Sequence, residues 1–300
     1  MEQLSTTTTT TRFQLLNISR YFNKLPRLPF IIWLCSTFLL IVAIVTLFGP
    51  LLMPYSYEQI DLLARLAPPV LLEGANPEHL LGTDKLGRDT LSRLIVATRT
   101  SAALALLGTI FGAILGIVLG FVAAHHRGAT DEVISTLIDF QAAMPYFIIA
   151  LAILAFMGNS MVVFLTLMGL YGWEKYARIT RGLVLSAKEH GYALAQKALG
   201  APPGRTYLRH IFPNILSPLI VQMTINLPET ILFETSLSFL GLGIRPPMTS
   251  LGQMIGEGRD YLVSAWWLAV VPGSVIFLTT ISVSIVGDAI RSRLDPALQD

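Results

Sequence analysis

The chain alternates long apolar runs with short polar connections, and the runs have the length that a lipid bilayer demands. A helix that crosses the hydrocarbon core needs roughly 20 mostly apolar residues. Phe30 to Phe48 fits, set off by Pro29 before it and Gly49-Pro50 after it. Ser101 to Ala124 carries no charge at all. Val133 to Met157 is a third run, interrupted by Asp139 and Pro145. Met161 to Trp173 is short, and the amphipathic turn after it extends the span. Ile215 to Gly243 is long and holds polar residues, and Val263 to Val286 contains Pro272-Gly273. The pattern predicts an all-α integral membrane protein with six transmembrane helices, near 30–48, 101–124, 133–157, 161–180, 215–243 and 263–286. A loop at 51–100 and a polar segment at 182–214 join them, after a tail at 1–28.

Composition agrees with lipid as the solvent. Of the 300 residues 53% are hydrophobic and only 13% charged, against about 25% in soluble domains. A net charge of +2 offers no basic field for nucleic acid. Cys35 is the only cysteine, which excludes an internal disulfide and a Cys-based metal site. The first run begins too deep in the chain for a signal peptide and has no A-x-A-like site after it, so it reads as a retained anchor. The threonine run Thr6 to Thr11 reads as disordered low complexity.

Basic residues fix the orientation. Arg12, Arg20, Lys24 and Arg27 precede the first run, against Glu2 alone. Lys175, Arg178, Arg181, Lys188, Lys197, Arg205 and Arg209 lie between the fourth and fifth, against Glu174 and Glu189. Both termini are therefore expected in the cytoplasm. The 51–100 loop is then external, its five cations balanced by six acids.

Within the spans, a few residues stand out. Gly108, Gly112, Gly116 and Gly120 recur at every fourth position and make a smooth stripe for close helix packing. Asp139, Glu229 and Glu234 are acids in apolar surroundings, where they must face protein or water. Glu229 and Glu234 are offset by about 140° around a helix. Gln222, Asn226 and Glu229 share one face, so Asn226, Glu229, Glu234 and Asp139 are candidates for a transport path or gate, or for polar glue between helices. No phosphate loop, H-E-x-x-H or G-x-S-x-G motif is present, and His125-His126 reads as an interfacial turn.

The polar segment is punctuated. Tyr192 to Leu199 favours helix, Gly200 suits a left-handed cap, and Pro202-Pro203 suit the start of another helix. Lys197, Arg205 and Arg209 stud this knob. The segment resembles the cytoplasmic loop of ABC importer permeases, E-A-A-x3-G followed by an apolar residue and Pro. Here it reads Leu194-Ala195-Gln196, then Gly200, then Ile211-Phe212-Pro213, with Leu194 where the family has Glu. "HLLGTDKLGRDTLSRL" (His79 to Leu94), "SLSFLGLGIRPPMTSLGQMI" (Ser236 to Ile255) and "VGDAIRSRLDP" (Val286 to Pro296) resemble stretches of the oligopeptide/dipeptide/nickel permease family, closest to its second permease subunit.

That resemblance implies the type I importer fold, paired with a sister permease in the bacterial cytoplasmic (inner) membrane. Two cytoplasmic ATPase subunits would hold ATP and Mg2+, with no cofactor in this chain. They would receive Tyr192, Leu194, Ala195, Gln196, Lys197, Gly200, Arg205, Arg209 and Pro213 in a surface groove. An external binding protein would deliver short peptides, or alternatively nickel chelates, glutathione-like thiols or opines. Two other classes compete: an ion-coupled transporter using Asp139, Glu229 and Glu234 as a relay, and an intramembrane enzyme. The first predicts an inverted repeat, and none is visible; the second lacks a nucleophile–base or metal set.

Overall fold

The computed structural model describes residues 28–189, 204 and 207–294. Among these residues the chain is helical, without a strand. Residues 1–27 of the expected tail, and residues 190–203, 205 and 206 of the expected coupling segment, lie outside the described residues.

Helix α1 (Leu28–Leu52) is apolar all round. Phe30, Trp33, Leu40 and Leu47 are exposed on it while Cys35 is buried, as suits a span lying on the outside of a bundle. Helix α2 (Thr90–His126) is 37 residues long, about 55 Å at 1.5 Å per residue. It begins eleven residues before the expected span because the Asp89 side chain accepts a hydrogen bond from the Ser92 N–H at 2.7 Å and caps the first turn. Residues 90–100 of the expected loop are thus helix.

The third expected span is not one helix. Helix α3 (Gly128–Ala143) and helix α4 (Tyr146–Met157) meet at an angle of 88°. Pro145 forces this, since it disfavours helical geometry at the residue before it, and Met144 is extended at φ −94°, ψ 138°. The fourth expected span is also divided, into α5 (Met161–Gly169) and α6 (Trp173–Glu189), with Gly172 at φ +82° in the break. Helix α7 (Phe212–Phe239) is preceded by a turn of π-helix at Tyr207–Ile211, and the short α8 (Leu251–Gly258) is capped by Ser250. Helix α9 is Trp267–Leu294, a few residues later than the expected 263–286. Among the described residues four helices are long and apolar enough to cross a membrane, or five units if the bent α3–α4 pair is one.

Helix α2 is the axis of the packing. Its glycine stripe lies against α5 and α6 so closely that a Cβ at Gly116 would stand 2.3 Å from the Trp173 carbonyl oxygen, and one at Gly120 would stand 2.6 Å from that of Ala177. The stripe is a packing seam. On another side Thr109 bonds Thr230 of α7 at 3.2 Å. Ala97, Ala105, Ile231, Leu251, Met254 and Ile276 knit α2, α7, α8 and α9 at one end. Ala124, Val184, Ile215 and Leu219 join α2, α6 and α7 at the other. Gly49 of α1 faces Ile95, near the start of α2, and Gly258 abuts Ala269, near the start of α9. These contacts put the starts of α2 and α9 and the end of α1 at one end of the bundle.

Candidate functional site

At the end of the bundle where α2 begins, the stretch "LGTDKLGRD" folds into a turn centred on Asp84. Its carboxylate accepts from the Leu86 and Arg88 N–H groups at 2.8 and 3.0 Å, from Arg88 Nε at 2.7 Å, and from Arg93 Nη1. Gly87 has φ +75°, and a Cβ there would fall 1.6 Å from the Asp61 carbonyl oxygen, so only glycine fits. Arg93 reaches on to Glu257 of α8 at 2.9 Å and Thr249 at 3.4 Å. Burial would push the Asp84 carboxyl up, but the Arg93 and Arg88 guanidiniums and the Arg88 and Leu86 N–H groups hold it below the ordinary carboxylate value. The two motifs 79–94 and 236–255 are therefore stapled to each other. Glu257, which closes the staple, carries no signal in the sequence.

Midway along the bundle, α6 gathers the acids. Arg178 pairs with Asp139 of α3 at 3.0 Å, and Arg181 clamps Asp131 at 2.5 and 2.7 Å. Lys175 pairs with Glu229 of α7. Lys175, Arg178 and Arg181 advance by three, which keeps neighbours close on a helical surface. Each acid thus has a cation to offset the cost of lying among apolar helices. Gln141 holds the break before α6, donating to the Leu170 carbonyl at 2.8 Å and to Glu174 at 3.0 Å while accepting from Trp173 Nε1 at 2.7 Å. Tyr171 in the break stacks on Phe233 of α7, with centroids 4.4 Å apart, and Tyr146 of α4 flanks both. Lys175 Nζ is 6.0 Å from the Tyr171 centroid.

Glu234 and Asn226 lie elsewhere. Glu234 is fully buried and accepts from Ser238 Oγ at 2.6 Å, with the Ser101 and Ser250 hydroxyls beside it. Asn226 is fully buried behind Gly172, where an added Cβ would meet its amide oxygen at 2.6 Å. Neither amide atom of Asn226 has a hydrogen-bond partner among the described residues. The structure therefore brings Asp139 and Glu229 to α6, at separate cations, and sets Glu234 and Asn226 inside the protein. No hydrogen bond among the described residues links Asp139, Glu229 and Glu234 to one another.

At the opposite end, the two stems of the polar segment converge on the last turn of α2. Lys188 Nζ donates to the Ala124 carbonyl at 2.6 Å and lies 5.4 Å from the Tyr207 ring centroid. The Tyr207 hydroxyl bonds His125 Nδ1 at 2.8 Å. Arg209 and Pro213 are exposed beside this junction. Tyr192, Leu194, Ala195, Gln196, Lys197, Gly200 and Arg205 lie outside the described residues.

A bundle of this kind, long apolar helices around a broken pair, is that of a multi-pass membrane protein. The same fold occurs in an inward-facing methionine ABC transporter, MetNI, with a TM-score of 0.54 at 17% identity, covering 68% of this chain and 97% of that one. Residues 116–300 match the family described as binding-protein-dependent transport system inner membrane component. Residues 32–69 match the N-terminal TM domain of oligopeptide transport permease C. The chain belongs to the family of binding-protein-dependent inner membrane permeases, and is a permease subunit of an ABC importer rather than an enzyme. It is similar to the dipeptide transport system permease protein DppC of Haemophilus influenzae, 35% identical over 87% of this chain and 89% of that protein. The di/tripeptide permease DppC of Pseudomonas aeruginosa is also 35% identical, over 88% of this chain and 87% of that protein. The glutathione permease GsiD of Pectobacterium atrosepticum is 34% identical, over 87% of this chain and 85% of that protein.

Proposed function

We propose that this permease imports short peptides across a bacterial inner membrane, driven by partner ATPases and supplied by an external binding protein. The observation that carries this is the 35% identity to dipeptide permeases over most of both chains. A sister permease would complete the membrane domain, and two ATPases would hold ATP and Mg2+. Glutathione, itself a peptide, is the second reading, favoured by the GsiD relative. The decisive experiment is copurification with an ATPase subunit, followed by peptide uptake in proteoliposomes with and without the binding protein. Uptake that ignores both partners would sink the proposal.

The charge distribution supports cytoplasmic termini and an external 53–89 region. Helix geometry agrees, since the Asp84 turn and the Lys188–Tyr207 junction sit at opposite ends of α2. With Cys35→Ala as background, a cysteine at exposed Gln59 is expected to react with an impermeant thiol reagent in intact cells, and one at exposed Ser186 is not. The reverse pattern inverts the topology.

The segment at 182–214 is the proposed coupling handle, with Tyr192, Leu194, Ala195, Gln196, Lys197, Gly200, Arg205, Arg209 and Pro213 meeting an ATPase groove. Its stems meet at Tyr207, so a push on the handle reaches the end of α2. Gly200→Trp and Ala195→Asp are expected to leave insertion intact and abolish the stimulation of ATP hydrolysis by loaded binding protein. Wild-type stimulation in both would remove the handle. For the transport path, the face of α6 and α7 around Glu229 is proposed as lining. Asp139 lies on its flank, and Asn226 and Glu234 support it from within.

A further inference from the structure

Of the three ion pairs that α6 makes with α3 and α7, Lys175–Glu229 is built unlike the other two. Asp139 and Arg178 stand in the open, with 75% and 57% of their side chains exposed. Arg181 grips Asp131 through two bonds, leaving neither carboxylate oxygen unused. Lys175 and Glu229 are each 39% exposed, joined through a single carboxylate oxygen, Oε2. Glu229 Oε1 and the remaining ammonium donors of Lys175 have no hydrogen-bond partner among the described residues.

Their depth matters. Trp173 and Tyr176, on either side of Lys175, pack on Gly116, and the Tyr171 carbonyl packs on Gly112. That level is midway along the charge-free stretch of α2. Half-covered charges at this depth are costly against lipid. Their open side therefore faces water or a second subunit. Beside them the Tyr171 ring, backed by Phe233, forms a flat wall within reach of the Lys175 ammonium.

A short peptide carries the same two charges at its termini, separated by about 7 Å in an extended dipeptide. We propose that Lys175 and Glu229 form an exchangeable subsite for those termini, an inference that rests on the peptide-import function above. Glu229 takes the α-ammonium and Lys175 the α-carboxylate, while Tyr171 flanks the peptide between them. In the empty protein the two side chains neutralise each other, and a passing peptide takes over both partners. Release restores the pair. Competition from the internal pair keeps the subsite weak, which a transport path requires if its cargo is to leave.

The test uses the complete complex in proteoliposomes with its ATPases and binding protein. It is fed dialanine, N-acetyl-dialanine or dialanine amide at concentrations that load the binding protein equally. Wild type is expected to import dialanine about tenfold faster than either blocked peptide, because an unpaired polar group in the path rejects the analogue. Glu229→Gln is expected to erase the preference for a free amine, and Lys175→Met that for a free carboxylate. The charge swap Lys175→Glu with Glu229→Lys keeps a pair between α6 and α7. A purely structural pair predicts wild-type uptake and wild-type preference from the swap. Either that result, or equal import of all three peptides by wild type, overturns the subsite and leaves the import function standing. If wild type moves no peptide at all, the import function fails and the subsite with it.

Discussion

Two charged regions of this protein solve the same problem in opposite ways. Around Asp84, Arg93 and Glu257 the charges form a network whose centre, Asp84 with Arg93, is buried, and each arginine is shared between two carboxylates. Along α6 the pairs are individual and partly open, between 18% and 75% exposed at the acid. A buried network fails badly when one member is lost, because the others remain in a low dielectric without partners. An open pair contributes little and can be exchanged for water or a ligand. The first region fixes a geometry. The second holds α6 through pairs that contribute little singly.

The difference can be broken experimentally, and the largest effect belongs to the buried region. Arg93→Met removes the buried cation of this network and leaves Asp84 and Glu257 to share Arg88 alone, and is expected to destabilise the protein by about 3 kcal/mol, the low end for a broken buried pair. Thermal unfolding in detergent measures this. If the loss is no larger than that of an α6 pair, the two regions are alike and the contrast is wrong.

Next in size is the seam that carries α6. Gly116→Val drives side-chain atoms into the Trp173 carbonyl, and overpacking of this kind costs about 1–3 kcal/mol. Unfolding together with crosslinking between α2 and α6 reports it. A variant of wild-type stability would mean that the helices can separate freely.

Acid pH discriminates the regions more gently. The Asp84 carboxyl is depressed in the folded protein, so its contribution is fully present above its ordinary value of 3.8 and is lost as pH falls through the folded value. Melting temperature is therefore expected to be insensitive to this group from neutral pH down to about 5, and to lose its contribution below about 4. Asp84→Asn removes this acid limb at the price of a lower plateau; an unchanged limb would assign it to other carboxylates.

The smallest effect is expected at Arg178→Ala. Its pair with Asp139 is open to solvent, so stability changes by about 0.5 kcal/mol or less. A large loss in the same unfolding assay would make α6 a rigid strut.

The spans were legible where apolar runs were long and unbroken, as in α1 and α2, and so was the glycine seam, because a four-residue period on a charge-free helix has one natural use. The early start of α2 was signalled by Asp89 with Ser92 three residues on, a cap hidden by the charged stretch around it. The division at Pro145 was visible as a proline, but the 88° angle depends on what α4 packs against. Pair partners on α6 were invisible, since Asp139 and Arg178 are 39 residues apart and Lys175 and Glu229 are 54 apart. Counting those cations for orientation concealed their second role. Glu234 and Glu229 looked alike as acids in a span; only tertiary packing sealed the first among serines and left the second half open.

The glycine seam also has a genetic consequence. No amino acid is smaller than glycine, so every missense change at these codons adds at least a Cβ. At Gly116 and Gly120 that atom lands within 2.6 Å of a backbone oxygen on α6. Neither position has a conservative neighbour in codon space. A saturation screen for transport is expected to recover almost only synonymous changes at both, while the exposed Leu107 and Ile114 of the same helix accept many apolar replacements.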